Sequence, residues 1–256
     1  ADVNLGCGMI ANTSDPDGIH KEGSGCLAAS EYKVAGGYDD SLNSGCALSP
    51  VPETSIPPVD DPLASLPSPS YAACGGGGGA PTNLGGGADY VLSPGVFCTN
   101  PNITTTGTVT FLPGLYVFDG AALKIGANST VEGAGISYYF TADSGVNDGM
   151  DIAGGATVTL SAPTTGPLPG ILLYQDRNTT ADITHKFAGG ATMQLDGIIY
   201  TPTTDVEFTG GTSSDSSSVV IIADEVAFKG GDTFLGDFDT SSILSKPLLI
   251  RPQLLE

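Results

Sequence analysis

Two heptapeptides 20 residues apart constrain this chain more than any other feature. Asp205-Val206-Glu207-Phe208-Thr209-Gly210-Gly211 and Glu225-Val226-Ala227-Phe228-Lys229-Gly230-Gly231 match position for position, and Phe187-Ala188-Gly189-Gly190 lies 21 residues before the Phe208 copy. A second pattern, Thr108-Val109, Thr130-Val131, Thr157-Val158 and Thr192-Met193, recurs in Gly-flanked segments of small residues. Repeats of about 20–50 residues mark solenoids, in which no single coil buries its own inner face. Side chains alternate across a strand, so Val206 and Phe208 are expected to point inward and Asp205, Glu207 and Thr209 outward. The Gly-Gly pairs supply the corners, because glycine reaches positive φ without a steric cost.

A further apolar segment follows in each repeat: Gly170-Ile171-Leu172-Leu173-Tyr174, Gly197-Ile198-Ile199-Tyr200 and Val219-Val220-Ile221-Ile222. Three short strands per turn predict an all-β chain wound as a right-handed parallel β-helix, a β-solenoid of triangular coils of about 20 residues. The Thr-Val pairs are spaced by 22, 27 and 35 residues. The excess leaves the stack as inserted loops, expected at 143–150, 163–169 and 177–184. The Pro-Gly pairs at Pro94-Gly95 and Pro113-Gly114 lie 19 residues apart, about one coil.

The chain divides into four parts. Residues 1–49 read as irregular N-terminal coils that begin the stack, and 50–73 as a proline-rich strip. Proline density forbids helix and central strand there, and the spacing of Ile56, Val59, Leu63 and Leu66 predicts a strip docked on the solenoid wall. Residues 74–240 form the β-helix core, opening with five glycines, Gly75 to Gly79, in a loop pinned by Cys74 and Cys98. The apolar tail 241–256 is expected to cap the open end or to contact a partner, since an uncapped coil exposes strand edges.

Acidic residues outnumber basic ones 28 to 8, for a formal charge of −20. Such a surface repels phosphate backbones, which argues against nucleic acid as a partner. No apolar run of about 18 residues is present, so neither a membrane span nor a signal peptide is expected in the sequence given, which starts as a matured or excised product would. Cys7, Cys26 and Cys46 are spaced by 19 and 20 residues, placing them at equivalent positions on successive coils. In an exported protein two of these three would pair, Cys74 would pair with Cys98, and one cysteine would remain.

Candidate chemistry is sparse. Asp143, Asn147, Asp148 and Asp151 surround glycines at alternating spacing and offer oxygen ligands to a calcium ion, although a polar turn satisfied by its own side chains is the simpler reading. No other cofactor is expected, and with eight Lys and Arg in the chain a catalytic centre for polysaccharide cleavage finds little support. His20 and His185 stand alone, which disfavours zinc. Thr108/Thr110 and Thr157/Thr159 suggest an ice-matching face, but Glu132 and Gln194 interrupt it. Asp176 and Arg177, directly after an apolar strand, form either an ion pair that locks the following loop or a recognition element. Asn12, Asn102, Asn128 and Asn178 head Asn-x-Ser/Thr sequons.

Four phrases in order carry a resemblance: Asp61-Pro62-Leu63-Ala64-Ser65-Leu66-Pro67, Ser93-Pro94-Gly95-Val96-Phe97-Cys98, Pro113-Gly114-Leu115-Tyr116-Val117-Phe118-Asp119-Gly120 and Gly170-Ile171-Leu172-Leu173-Tyr174-Gln175-Asp176-Arg177. Over about residues 50–235 the chain resembles the C-terminal portion of TadG-like proteins of the bacterial tight-adherence (Flp) pilus system. The resemblance implies an exported, non-enzymatic component of the cell surface acting in attachment or pilus assembly. Its partners would be pilus or other surface proteins, copies of itself, or surface glycans. The hydrophobic N-terminal helix typical of that family is missing from this sequence. A carbohydrate-binding or carbohydrate-cleaving β-helix is the alternative function, with ice binding after it.

Overall fold

The computed structural model describes residues 2–5, 8–42, 45–74, 83–141, 149–179, 182–188, 192–209, 213–216, 218–229 and 233–236. The described chain is all β, and its strands pair in parallel as stacked coils of a solenoid of about nine turns. Among the described residues no helix is long and apolar enough to cross a membrane.

Each coil contributes to three columns of strands. The first holds Tyr90–Leu92, Thr108–Phe111, Thr130–Gly133, Thr157–Ser161, the start of Thr192–Thr201, Ser213–Ser216 and Thr233–Gly236. The second holds Gly95–Phe97, Gly114–Asp119, Ile136–Thr141, Ile171–Gln175, the end of Thr192–Thr201 and Ser218–Ala223. The third runs through Asn83–Leu84, Asn102–Ile103, Leu123–Ile125, Met150–Ile152, Thr184–Ala188, Asp205–Thr209 and Val226–Lys229. Strand Thr192–Thr201 serves two columns because it turns a corner at Gly197, whose φ is +136°. A Cβ there would lie 2.6 Å from Cβ of Ala162, so the bend needs glycine for both conformation and space.

The pattern of burial explains the two kinds of strand. In the first and third columns one side faces the core and one faces out, and the sequence alternates accordingly. Val109, Phe111, Val131, Val158, Leu160, Met193 and Leu195 are buried, as are Val206 and Phe208. The 20-residue repeat is literal register, with Val206 opposite Val226 and Phe208 opposite Phe228. Phe187, Phe208 and Phe228 stack with ring centroids 4.9 and 5.3 Å apart. Second-column strands are covered on both sides, which is why Ile171–Gln175 is buried at every position and reads as an unbroken apolar run. Phe97, Phe118 and Phe140 form their inner row, with centroids 5.2 and 4.7 Å apart.

The N-terminal coils correct the expected order of the stack. They do not start it. Asp2–Asn4 pairs in parallel with Thr233–Gly236 on one side and with Cys26–Ala28 on the other, so residues 2–54 continue the stack beyond its C-terminal end. Val3 joins the main core, with Leu5 and Leu27 packed against it. A small core of Ile19, Tyr32, Val34 and Leu48, and the Cys26–Cys46 disulfide, hold these coils together. Local pattern places both segments on solenoid coils, but the register Val3 to Phe234 joins strands from opposite ends of the chain. Cys7, the glycines 75–79 and the tail 241–256 lie outside the described residues.

Between the N-terminal coils and the first core coil, residues 55–74 travel back along the whole stack over the outer side of the second column. Leu63, Leu66 and Tyr71 pack there against Val117, Tyr139, Tyr174 and Tyr200. The loop at 163–169 also folds inward. Gly170 N donates to Pro163 O at 2.7 Å, and Leu168 is fully buried in the same cluster.

Candidate functional site

The coils present three outer surfaces, each with its own chemistry. On the first column, Thr108, Thr130, Thr157 and Thr192 stand in register and are continued by Ser213 and Thr233. Rungs of a sheet lie about 4.7–4.9 Å apart, so this is a straight row of hydroxyl-bearing residues along the rod. The neighbouring row reads Thr110, Glu132, Thr159 and Gln194, and is mixed. Sequence reasoning found the first four threonines and missed the last two positions, because Ser213 and Thr233 lack the Thr-Val signature.

The third column carries a row of alternating charge. Asn102, Lys124, Asp151, Lys186 and Glu207 are consecutive partners across five strands. Lys229 Nζ adds a bond to Glu207 Oε2 at 2.7 Å. Opposite charges on facing strands favour correct register, at about 0.2–1 kcal/mol per pair, less where solvent screens them. Asp151 therefore sits between two lysines on an exposed surface. Asp143, Asn147 and Asp148, the other three residues of the expected calcium set, lie outside the described residues. Among the described residues no group of three or more His, Cys, Asp or Glu side chains is placed to hold a metal ion.

The second column is where the strip is clamped, and the clamp is built level by level. At the N-terminal coils, Asn12 Nδ2 donates to Val59 O at 2.7 Å and Val59 N donates to Asn12 Oδ1 at 2.8 Å. Further toward the core coils, Tyr200 OH donates to Asp61 Oδ2 at 2.6 Å. Asp61-Pro62 then starts a tight turn, with Leu63 N donating to Asp61 Oδ1 at 2.8 Å and Leu66 N to Leu63 O at 2.8 Å. That turn aims three carbonyls at one side chain. Arg177 donates to Leu63 O at 2.9 Å, to Leu66 O at 3.2 Å and to Ala64 O, while its guanidinium lies 5.6 Å from the centre of the Tyr200 ring. The planar fork of arginine suits this convergence and a lysine does not. Further along, Tyr71 meets Tyr139 edge to face at 5.9 Å. At the far end Cys74 N donates to Asp119 Oδ2 at 3.3 Å, and the Cys74–Cys98 disulfide ties the strip to the first core coil.

Asp176 and Arg177 do not form the expected pair. Asp176 accepts a short hydrogen bond from Tyr139 OH and one from Asn178 N at 2.8 Å, while Arg177 turns to the strip. Both residues lie in the turn after the strand Ile171–Gln175, and each engages a different part of the outer cluster. Burial, and then the nearby carboxylates, hold the hydroxyls of Tyr139 and Tyr200 protonated far above neutral pH.

Inside the coils, His185 is fully buried. Its Nδ1 accepts from Met150 N at 3.1 Å, which assigns the proton to Nε2, and Nε2 donates to Gln175 Oε1 at 3.2 Å. Gln175 Nε2 then donates to Thr179 Oγ1 at 2.8 Å. Burial lowers the His185 pKa to about 3, so the ring is a neutral structural group. At the opposite extreme, burial and the facing carboxylates of Glu225, Asp224 and Asp182 raise the Asp205 pKa. No family profile, curated protein or solved structure matches this chain.

Two measurements check this site. Arg177→Lys retains the charge but loses the fork, and is expected to lower stability by about 1.5–3 kcal/mol; limited proteolysis should then cut first within residues 55–73. The second is a pH titration of unfolding. The unfolded chain binds a proton at His185 near pH 6.5 and the folded chain only near 3, so stability contributed there is complete above about 6.5 and falls as the pH drops. The slope reaches about 1.4 kcal/mol per pH unit for one proton. His185→Gln should flatten the slope in that window, whereas Asp205, with its raised pKa, works in the opposite direction as it becomes protonated.

Proposed function

We propose that the chain is an exported, non-enzymatic structural module of the cell surface, acting in attachment or in the assembly of a Tad/Flp-type appendage. The observation that carries this reading is the clamp. A strip laid across successive coils, hydrogen-bonded at several levels and tied by a disulfide at its end, resists shear between coils and keeps a rod straight. The four phrases that resemble TadG-like proteins converge on that same unit. Asp61–Pro67 contains the turn on Arg177, and the other three phrases contain the strands Gly95–Phe97, Gly114–Asp119 and Ile171–Gln175 beneath the strip. Two disulfides fit an oxidising compartment, where such bonds persist.

The outward hydroxyl row of Thr108, Thr130, Thr157 and Thr192 supplies the adhesive surface in this reading, offering donors and acceptors at a fixed spacing to surface glycans or proteins. Glu132 and Gln194 in the adjoining row place charge and bulk where a flat ice-matching plane needs neither. Deleting the gene in its host is expected to reduce surface attachment or piliation, with recovery on re-expression of the wild-type chain. Attachment and piliation both unchanged by the deletion would overturn the proposal.

A further inference from the structure

The stack has two ends, and both leave strand edges unpaired among the described residues. At one end Asn83–Leu84, Tyr90–Leu92 and Gly95–Phe97 each have a partner on one side only. At the other, Glu53–Thr54 pairs only with Tyr32–Val34, and Tyr38–Asp39 only with Ile19–His20. Free edges are templates for further pairing. The exposed large apolar side chains gather at the same ends. Val91 is 66% exposed and Leu112 41% in the first two core coils, while Ile10, Leu42, Val51 and Val59 are exposed in or just after the N-terminal coils. Among the residues whose burial is described no other large apolar side chain is exposed, and the flanks between carry the hydroxyl row, the charged row and the covering strip.

The molecule already contains a junction of the required kind. Strand Thr233–Gly236 receives Asp2–Asn4 in parallel, although the two are far apart along the chain. The solenoid therefore extends by accepting a coil that does not follow it in sequence, through backbone pairing and through the apolar side chains of Val3, Leu5 and Leu27.

We propose that the chain assembles head to tail with copies of itself, the first core coil (residues 83–97) of one copy stacking in parallel on the free edge of the N-terminal coils (residues 46–54) of the next. The inference rests on the structural-module reading and names the partner of that module as a second copy. Strand direction is the same in every coil, so the added copy continues the ladder without reversal. Two different surfaces meet, so the contact is heterologous, and copies stacked end to end along the solenoid axis have no ring to close and grow into a filament. With a net charge of −20, copies repel one another, and salt relieves this as the screening length falls from about 10 Å at 0.1 M to about 3 Å at 1 M.

Light scattering of the full chain over micromolar concentrations, at low and high salt, tests this. The mean mass should rise with both concentration and salt. Val91→Lys and Val51→Lys alter exposed positions at opposite ends, and circular dichroism would verify that each variant is folded. Each variant alone should remain a monomer, and an equal mixture should stop at a doubling of mass, because the intact end of one meets the intact end of the other. A wild-type chain that stays monomeric at high salt overturns the proposal, as does either variant assembling like the wild type or dimerising alone. A strain whose attachment depends on a strictly monomeric protein would keep the structural reading and remove the assembly.

Discussion

Register between neighbouring coils is the constraint on which everything else depends. One coil has too little inner surface to bury by itself, and its strands become stable only when a coil above and a coil below share their backbone bonds and cover their apolar side chains. The inner rows of Phe97, Phe118 and Phe140, and of Phe187, Phe208 and Phe228, show how the side chains reinforce this, ring over ring. A one-residue slip would turn every inward Val and Phe outward, and on the third column it would also break the sequence Lys124, Asp151, Lys186, Glu207. Packing and charge therefore specify the same register from opposite sides of the sheet.

The strip adds a second direction of restraint. Coil pairing holds each turn to the next, whereas residues 55–74 span many turns at once and attach at Asn12, Tyr200, Arg177, Tyr139 and Asp119 in succession. Covering the outer side of the second column has a further effect. The aligned Tyr139, Tyr174 and Tyr200 would otherwise form a continuous exposed aromatic surface, a liability for aggregation. The hydroxyls of Tyr139 and Tyr200 donate to Asp176 and Asp61, and that of Tyr174 accepts from Arg177, so the covered surface has both apolar contact and defined polar anchors.

Much of this was legible in the sequence, for reasons that particular residues make plain. Val206, Phe208 and their copies 20 residues on alternate without interruption, so inward and outward sides could be assigned, and the Thr-Val pairs predict the register found between Thr108, Thr130, Thr157 and Thr192. The charged row was hidden because its members lie 27, 35 and 21 residues apart, each interval lengthened by a different loop. Arg177 was linked to its neighbour Asp176, while its true partners lie more than a hundred residues earlier, in the turn that Asp61 and Pro62 set up. The placement of the N-terminal coils was the least legible feature. It depends on which free edge receives Asp2–Asn4, a choice made by the completed stack and carried by no local pattern.

That seam between the two ends of the chain is the central claim, because the clamp, the position of the N-terminal coils and the ends of the rod all follow from it. Hydrogen exchange measured by mass spectrometry reads it directly on the intact, oxidised protein. Peptides containing Asp2–Asn4 and Thr233–Gly236 should both be protected, and a chain shortened to begin after residue 54 should lose protection at Thr233–Gly236 while the coils around Phe118 and Phe140 keep theirs. Rapid exchange at Asp2–Asn4 in the intact protein, or protection of Thr233–Gly236 that is indifferent to the loss of residues 1–54, would contradict the account.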